Sequence, residues 1–376
     1  MNIPTDPLAP RRADIDSKQD GVARLLADVG CDGLLLLEPA NFAWFTGGAV
    51  ARGLLDLAER PALYLSPAQR WLVSCNLDTQ RLFDEELDGL GFLLKEWPWH
   101  RGRDQLLAEL SQERKLACDR PYRECVSVSE DLRRRRRVLS AYERSAYLTL
   151  GKQVAHALEA TGRNLVPGQS EEEVAGQLAH RLLHHGVEPA VLQVAADCRG
   201  RTYRRHGPTP RVVRQSCVLR ATAARDGLYV SAARSVSFGS PDEQFRKECD
   251  AACRLSAAYL AYTSVGAEAA EAVAAGRRQL TACGFDQEWR LSPPGYLTGR
   301  AAAECSLAQA GEPFEEGWAV AWQATVGAAA NWDTALVGTD GPVVVTPIEE
   351  GWPFKRISLQ GRVFDRPDLL VRTPRA

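Results

Sequence analysis

The chain has 376 residues, 45% of them apolar and 25% charged, the composition of a soluble globular protein long enough for two or three domains. Lysine and arginine (46) nearly balance aspartate and glutamate (48), which argues against nucleic acid or an anionic membrane as partner. No stretch approaches the ~20 apolar residues of a membrane span, the opening MNIPTDPLAPRRADIDSKQ lacks a signal-peptide core, and the ten cysteines form no CxxC pair or zinc-type cluster. A cytoplasmic protein with reduced thiols is expected.

Residues 1–19 carry three prolines and mixed charges without periodicity and are expected to form a disordered arm. From Asp20, GVARLLADVGCDGLLLLEP predicts a short amphipathic helix, a glycine turn and a buried strand, Gly33–Leu37. Strands ALYLS and RWLVSC, a helical run Thr79–Leu87, strand GFLLKEW, a helix Gly102–Glu113 and strand KLACD continue the alternation. An α/β domain over residues 20–130 is predicted. The second domain, residues 131–376, begins with a linker helix for which Ser129 and Asp131 are available as caps. Arg133 to Arg137 point in several directions around that helix and have acidic flanks, which favours a solvated face over a nucleic-acid patch.

Ser170 and Glu173 fit a capping box opening a helix to His185. Within it His180 and His184 have ligand spacing, but no glutamate stands between them in HExxH register, so they are read as surface histidines. Strand VLQVAAD leads to the arginine-rich loop RGRTYRRHGPTPRVVRQ and then to a hairpin, Cys217–Ser240, turning at Asp226-Gly227. Two helices, in PDEQFRKECDAACRLSAAYLAYTSVG and EAVAAGRRQLTACG, precede antiparallel strands in GWAVAWQATVGAAANWDTALVGTDGPVVVTP. This segregation predicts an α+β second domain.

Five stretches, in this order and spacing, resemble the creatinase, prolidase and aminopeptidase P superfamily over nearly the whole chain: CDGLLLLEPANFAWFTGG, LRRRRRVLSAYERSAYLTLGKQVAHALEA, LVPGQSEEEVAGQLAHRLLHHG, RRHGPTPRVVRQSCVLRATAARDGLYVSAARSVSFG and VAWQATVGAAANWDTALVGTDGPVVVT. The resemblance implies a small creatinase-type N-terminal α/β domain followed by a pita-bread domain. Metallopeptidases of the superfamily hold two metal ions through two Asp, one His and two Glu, with a bridging hydroxide as nucleophile. Carried onto this chain, the Asp positions fall at Arg220 and Ser231, the His position at Ser292, Pro293 or Tyr296, and the Glu positions near Gln323 and Trp332. No position keeps its ligand. A guanidinium at Arg220 would cost a dication about 4 kcal/mol per unit charge at ~4 Å in a moderately screened site. A divergent member using no metal or other cofactor is therefore expected.

The resemblance also matches His206, in RRHGPT, to a histidine that contacts substrate in the peptidases and acts as acid and base in creatinase. An imidazole can pass a proton to a leaving nitrogen, although a loop histidine bonded to a backbone carbonyl would read the same. Arg204, Arg220, Arg234 and Arg300 suggest an anionic ligand, because Arg clasps carboxylate, sulfate or phosphate bidentately; each could equally be an ion-pair residue. Asp333, kept from the family's Glu-Asp-Thr run, could orient a base or an amine, or simply cap backbone amides. Trp322 and Trp332 could wall a pocket or fill the core.

The leading expectation is a metal-independent, creatinase-like enzyme acting at a C–N or related bond of a small anionic metabolite by hydrolysis, cyclisation or elimination. His206 and Asp333 are its candidate catalytic residues, and Arg52, Arg204, Arg220, Ser231, Arg234, Tyr296, Arg300, Gln323 and Trp332 its candidate substrate contacts. The alternative is an inactive binding or regulatory subunit whose pocket is filled by Arg220, Tyr296 and Trp332. The resemblance further implies a homodimer, or a heterodimer with a related subunit.

Overall fold

The structure, a computed structural model, describes residues 6–54 and 60–373. It divides into two compact units, Met1–Arg136 with Ser140–Glu143, and Arg137–Leu139 with Arg144–Ala376. The first unit opens with α1 (Ala9–Val29), which places Pro10 in its first turn, where a missing N–H is tolerated, and ends on Gly30 at φ 62°. Residues 9–19, expected as part of a disordered arm, are thus helical; residues 1–5 lie outside the described residues. Burial orders them: Ile15 is fully enclosed, and the buried Lys18 ammonium is held by Asp14 (2.6 Å), Glu143 (2.8 Å) and the Trp44 carbonyl (2.7 Å).

After α1 come β1 (Gly33–Leu36), α2 (Pro39–Phe45), β2 (Ala62–Leu65), β3 (Arg70–Cys75), α3 (Thr79–Arg81, continued by a π-helical turn, Leu82–Leu87), β4 (Leu93–Trp97), α4 (Arg103–Ser111), β5 (Leu116–Cys118), β6 (Val126–Ser127) and α5 (Ser129–Arg137). The strands form one mixed sheet in the order β4-β3-β2-β1-β5-β6, β1 lying antiparallel to β2 and parallel to β5. Leu34 and Leu36 point to one side of β1 and Leu35 to the other, and both sides are buried, which is why this strand reads as a continuous apolar run.

The second unit is built around α6 (Ala141–Asn164), whose first residues belong to the first unit, and α7 (Glu171–His184). α7 starts with the expected capping box: the Glu173 amide donates to Ser170 Oγ at 3.1 Å, and the Ser170 amide donates to the Glu173 carboxylate at 2.6 Å. Ser170→Ala is therefore expected to cost ~1 kcal/mol in urea unfolding. An unchanged midpoint would mean that the cap contributes nothing.

There follow β7 (Glu188–Ala196), β8 (Ser216–Arg225), β9 (Leu228–Phe238), α8 (Glu243–Ala261), α9 (Ala269–Ala282), β10 (Gly295–Thr298), β11 (Cys305–Ser306), β12 (Ala319–Val326), β13 (Ala329–Gly338), β14 (Gly341–Val344), β15 (Phe354–Leu359), β16 (Arg362–Pro367) and β17 (Leu370–Arg372). One sheet runs β17-β9-β8-β7, another β11-β10-β12-β13-β14, and β15-β16 is a separate hairpin. Helices α6 and α7 share an apolar core with the first sheet, α8 and α9 with the second, giving two helix-backed sheets and the α+β architecture expected. The β8–β9 turn has Asp226 at φ 51° and Gly227 at φ 70°, the left-handed pair that a two-residue hairpin requires. Among the described residues no helix is long and apolar enough to cross a membrane.

Candidate functional site

Strand register decides which candidate residues can meet. On the β8–β9 hairpin Arg220 lies opposite Ala233 and Thr222 opposite Ser231, so Arg220 and Ser231 share a face; Arg234, opposite Leu219, is on the other. In the second sheet Tyr296 pairs with Ala321 and Gln323 with Trp332, which puts Tyr296, Gln323 and Trp332 on one face and Asp333, opposite Trp322, on the reverse. The two sheets come together at a cation–π contact. The Arg220 guanidinium lies over the Trp332 ring, 5.1 Å from its centroid.

Arg220 is 1% exposed, yet it has no ion pair among the described residues. Its Nη1 donates to the Arg204 carbonyl at 3.3 Å, while Nε and Nη2 have no acceptor. Burial first, and the charge of Arg204 second, lower its pKa to about 10, so it stays cationic at neutral pH. Gly200 packs against it: a β-carbon there would lie 3.5 Å from Arg220 Nη2, an ordinary contact, and 3.2 Å from the Ala328 carbonyl oxygen, a tight one.

His206 is 8% exposed, and neither ring nitrogen has a hydrogen-bond partner. The alternative of a loop histidine tied to a backbone carbonyl is therefore not what forms. Burial, then the charges of Arg220 and Arg199, hold its pKa down to about 4, with Glu171 acting in the opposite direction. Glu171 is wholly buried and clasps Arg199 through two hydrogen bonds of 2.7 Å, while also accepting from the Ala196 amide and from the amide and hydroxyl of Thr209. Glu171 and Arg199 were not among the sequence candidates. Glu171 lay in the SEEE run, which read as a helix start, and Arg199 opened the arginine-rich loop without standing out from its neighbours.

Other candidates are placed elsewhere or already partnered. Arg204 donates to the Gly327 carbonyl at 2.6 Å and pairs with Glu288 at 2.9 Å. Arg234 and Asp333, expected as a substrate contact and a catalytic carboxylate, instead neutralise each other inside the protein. Arg234 pairs with Glu159 at 2.8 Å and Asp333 at 3.4 Å, and Asp333 also accepts from Arg366 and, at 2.5 Å, from the Thr346 hydroxyl. Arg300 is buried and donates to the Asp226 carbonyl at 2.6 Å, bracing the hairpin turn.

Ser231 exchanges a 2.8 Å hydrogen bond with Thr222, and its amide donates to the Thr334 hydroxyl at 2.9 Å, tying β9 to β13. Trp332 donates to the Thr325 hydroxyl at 2.9 Å, and Tyr296 and Gln323 are half-buried. Trp322 stacks on Tyr259 at 4.5 Å as plain core. Arg52 is exposed in the first unit. The structure thus brings Arg220 and Trp332 together, leaves His206 buried and unpartnered, and withdraws Arg234, Asp333 and Arg300.

The strand faces that carry Arg220 and Trp332 offer a fixed positive charge, the hydroxyls of Thr222 and Ser231, the Gln323 amide and an indole, with no carboxylate among these residues. Divalent cations are held by several anionic oxygens or neutral imidazoles, and a single imidazole, that of His206, with a fixed positive charge in the set does not fit them. Among the described residues no group of three or more His, Cys, Asp or Glu side chains is placed to hold a metal ion.

A family model described as metallopeptidase family M24 matches residues 147–336. No curated protein matches the chain by sequence. Similar solved structures include the dipeptidase PepE from Mycobacterium ulcerans, with 20% identity and a TM-score of 0.75, covering 96% of this chain and 98% of that one. The Xaa-Pro dipeptidase from Bacillus anthracis has 16% identity and a TM-score of 0.75 over 95% and 100% of the two chains. For the prolidase from Pyrococcus horikoshii OT3 the values are 16% and 0.76, over 89% and 99%. At these identities the likeness is one of fold.

Proposed function

Because the chain belongs to metallopeptidase family M24, with its pita-bread fold, but sets a buried, unpaired cation among its candidate residues, we propose that it is a metal-independent enzyme acting at a C–N or related bond of a small anionic molecule. The observation that carries this reading is the Arg220 guanidinium, 1% exposed with two nitrogens lacking acceptors. An uncompensated buried charge costs several kcal/mol. A ligand that brings the missing anion recovers that cost, and the free Nε–Nη2 edge matches the two oxygens of a carboxylate.

A neutral, buried His206 has both nitrogens unengaged and can take a proton from water or from an internal amine as it attacks, then deliver it to the leaving nitrogen. Trp332 backs the guanidinium and limits its movement. The solved relatives are named as dipeptidases and prolidases, and a dipeptide offers both a carboxylate and a C–N bond.

Small acids and amino-acid derivatives should be screened for binding and turnover with the metal content of the same sample measured. For a substrate so found, His206→Ala is expected to lower kcat at least ~100-fold while changing KM little, and chelators should leave turnover unchanged. Full activity of His206→Ala, or activity that tracks bound metal, would overturn the reading. The burial of both His206 nitrogens and the stacking of Arg220 on Trp332 favour a second reading, ligand binding without chemistry. That version requires an acid that binds saturably and is never consumed.

A further inference from the structure

We propose that Gln193 is a second ligand-binding residue of the Arg220 site, and that the small anion held there is an acid carrying an N–H or O–H donor next to its carboxylate. This rests on the anion-binding reading above and adds to it a specificity residue and a ligand class. The placement comes from strand register. Gln193 on β7 lies directly opposite Arg220 on β8, and Arg220 directly opposite Ala233 on β9. Residues directly opposite in an antiparallel ladder send their side chains to the same face of the sheet, with Cβ atoms roughly 4.5–5.5 Å apart. The guanidinium thus has a neutral amide on one side of it and a methyl group on the other.

Gln193 and Arg220 stand side by side, yet neither satisfies the other. Gln193 Oε1 is buried and accepts no hydrogen bond, while Arg220 Nε and Nη2 donate none. Buried polar atoms are nearly always paired, so orphans in adjacent positions point to one bound group that meets both. That group must accept at the guanidinium and donate at the amide oxygen. A carboxylate with an amide N–H or a hydroxyl beside it does both; a halide or an unsubstituted carboxylate does only the first. In an N-acyl amino acid the donor is the nitrogen of the C–N bond, so the same contact fixes that bond relative to the guanidinium. A glutamate in place of Gln193 would instead give Arg220 a counter-charge within the protein, as Glu159 does for Arg234. Gln193 also stands on the edge strand of its sheet and is half-buried where Arg220 is 1% exposed, so the rest of the ligand extends past the amide toward the edge.

The test is titration calorimetry of the full chain with sodium acetate, N-acetylglycine and levulinate, at one ionic strength made up with sodium chloride. Levulinate is N-acetylglycine with CH2 in place of N–H, so it keeps the carboxylate and the shape and lacks the donor. The wild type is expected to bind N-acetylglycine at least about tenfold more tightly than levulinate, because levulinate leaves a buried acceptor unpaired. Gln193→Met should bring N-acetylglycine down to the affinity of levulinate, and Gln193→Glu, shown folded by its thermal melt, should lose the binding of every acid. Equal affinities of the two isosteres for the wild type, or a preference that survives in Gln193→Met, would overturn the role of Gln193 and leave the anion reading standing. Acid binding by Gln193→Glu at wild-type affinity would mean that the side chain at 193 does not reach the guanidinium, which sinks the inference as well. No saturable binding of any of these acids to the wild type would overturn the anion reading itself, and this inference with it.

Discussion

Asp333→Ala is expected to destabilise the protein by about 3–5 kcal/mol, the range for stripping one partner from a buried ion pair. Asp333 is 1% exposed and receives hydrogen bonds from Arg234, Arg366 and Thr346, and both arginines are themselves buried. Two carboxylates, Glu159 and Asp333, balance those two guanidinium groups. Burial and the proximity of Arg234 already lower the pKa of Arg366 to about 9. Removing Asp333 leaves two buried cations and one anion. Asp333→Asn keeps the shape but not the charge and should lose nearly as much. Urea unfolding of the three proteins measures this, and a loss under about 1 kcal/mol would mean that water or another group replaces the carboxylate. Since Asp333 lies on the strand face opposite Trp332, folded Asp333→Asn should still bind acetate as the wild type does.

Arg220→Met should have the opposite sign. Replacing a buried cation that lacks a counter-charge by an apolar chain of similar length is expected to raise stability by about 1–4 kcal/mol, while abolishing anion binding. The two arginines, fourteen residues apart on one hairpin, thus separate cleanly. Arg234 is neutralised by the protein and serves the fold; Arg220 is left without a counter-charge, at a cost in stability. A thermal melt of Arg220→Met at or below that of wild type would show that Arg220 is compensated after all.

The local features of the fold were legible because their causes are local. Asp226-Gly227 can take two left-handed conformations in succession, and Ser170 with Glu173 satisfies a helix start within four residues. The first half of α1 read as an arm, its second half as a helix, because three prolines in its neighbourhood outweighed the single fact that Pro10 stands where a helix tolerates it. At the site, the sequence displays charge but not partners. Arg204, Arg220 and Arg234 look alike on paper, and they differ only in whether a carboxylate 75 to 99 residues away, Glu288, Glu159 or Asp333, reaches them. The sequence therefore offered His206 and Arg220 as candidates without setting them apart from Arg234 and Asp333, which the structure shows neutralised in the interior.

The same separation along the chain bears on how the protein folds. The β8–β9 and β12–β13 hairpins each close on themselves and need no distant segment, so they form on the microsecond scale of local structure. Arg234 and Asp333, one on each hairpin, are 99 residues apart and meet only when the hairpins dock. Until then Arg220 and Arg234 remain hydrated. Docking is thus the step that strips their water, and it recovers that cost through Asp333 at one arginine while leaving the other unsatisfied.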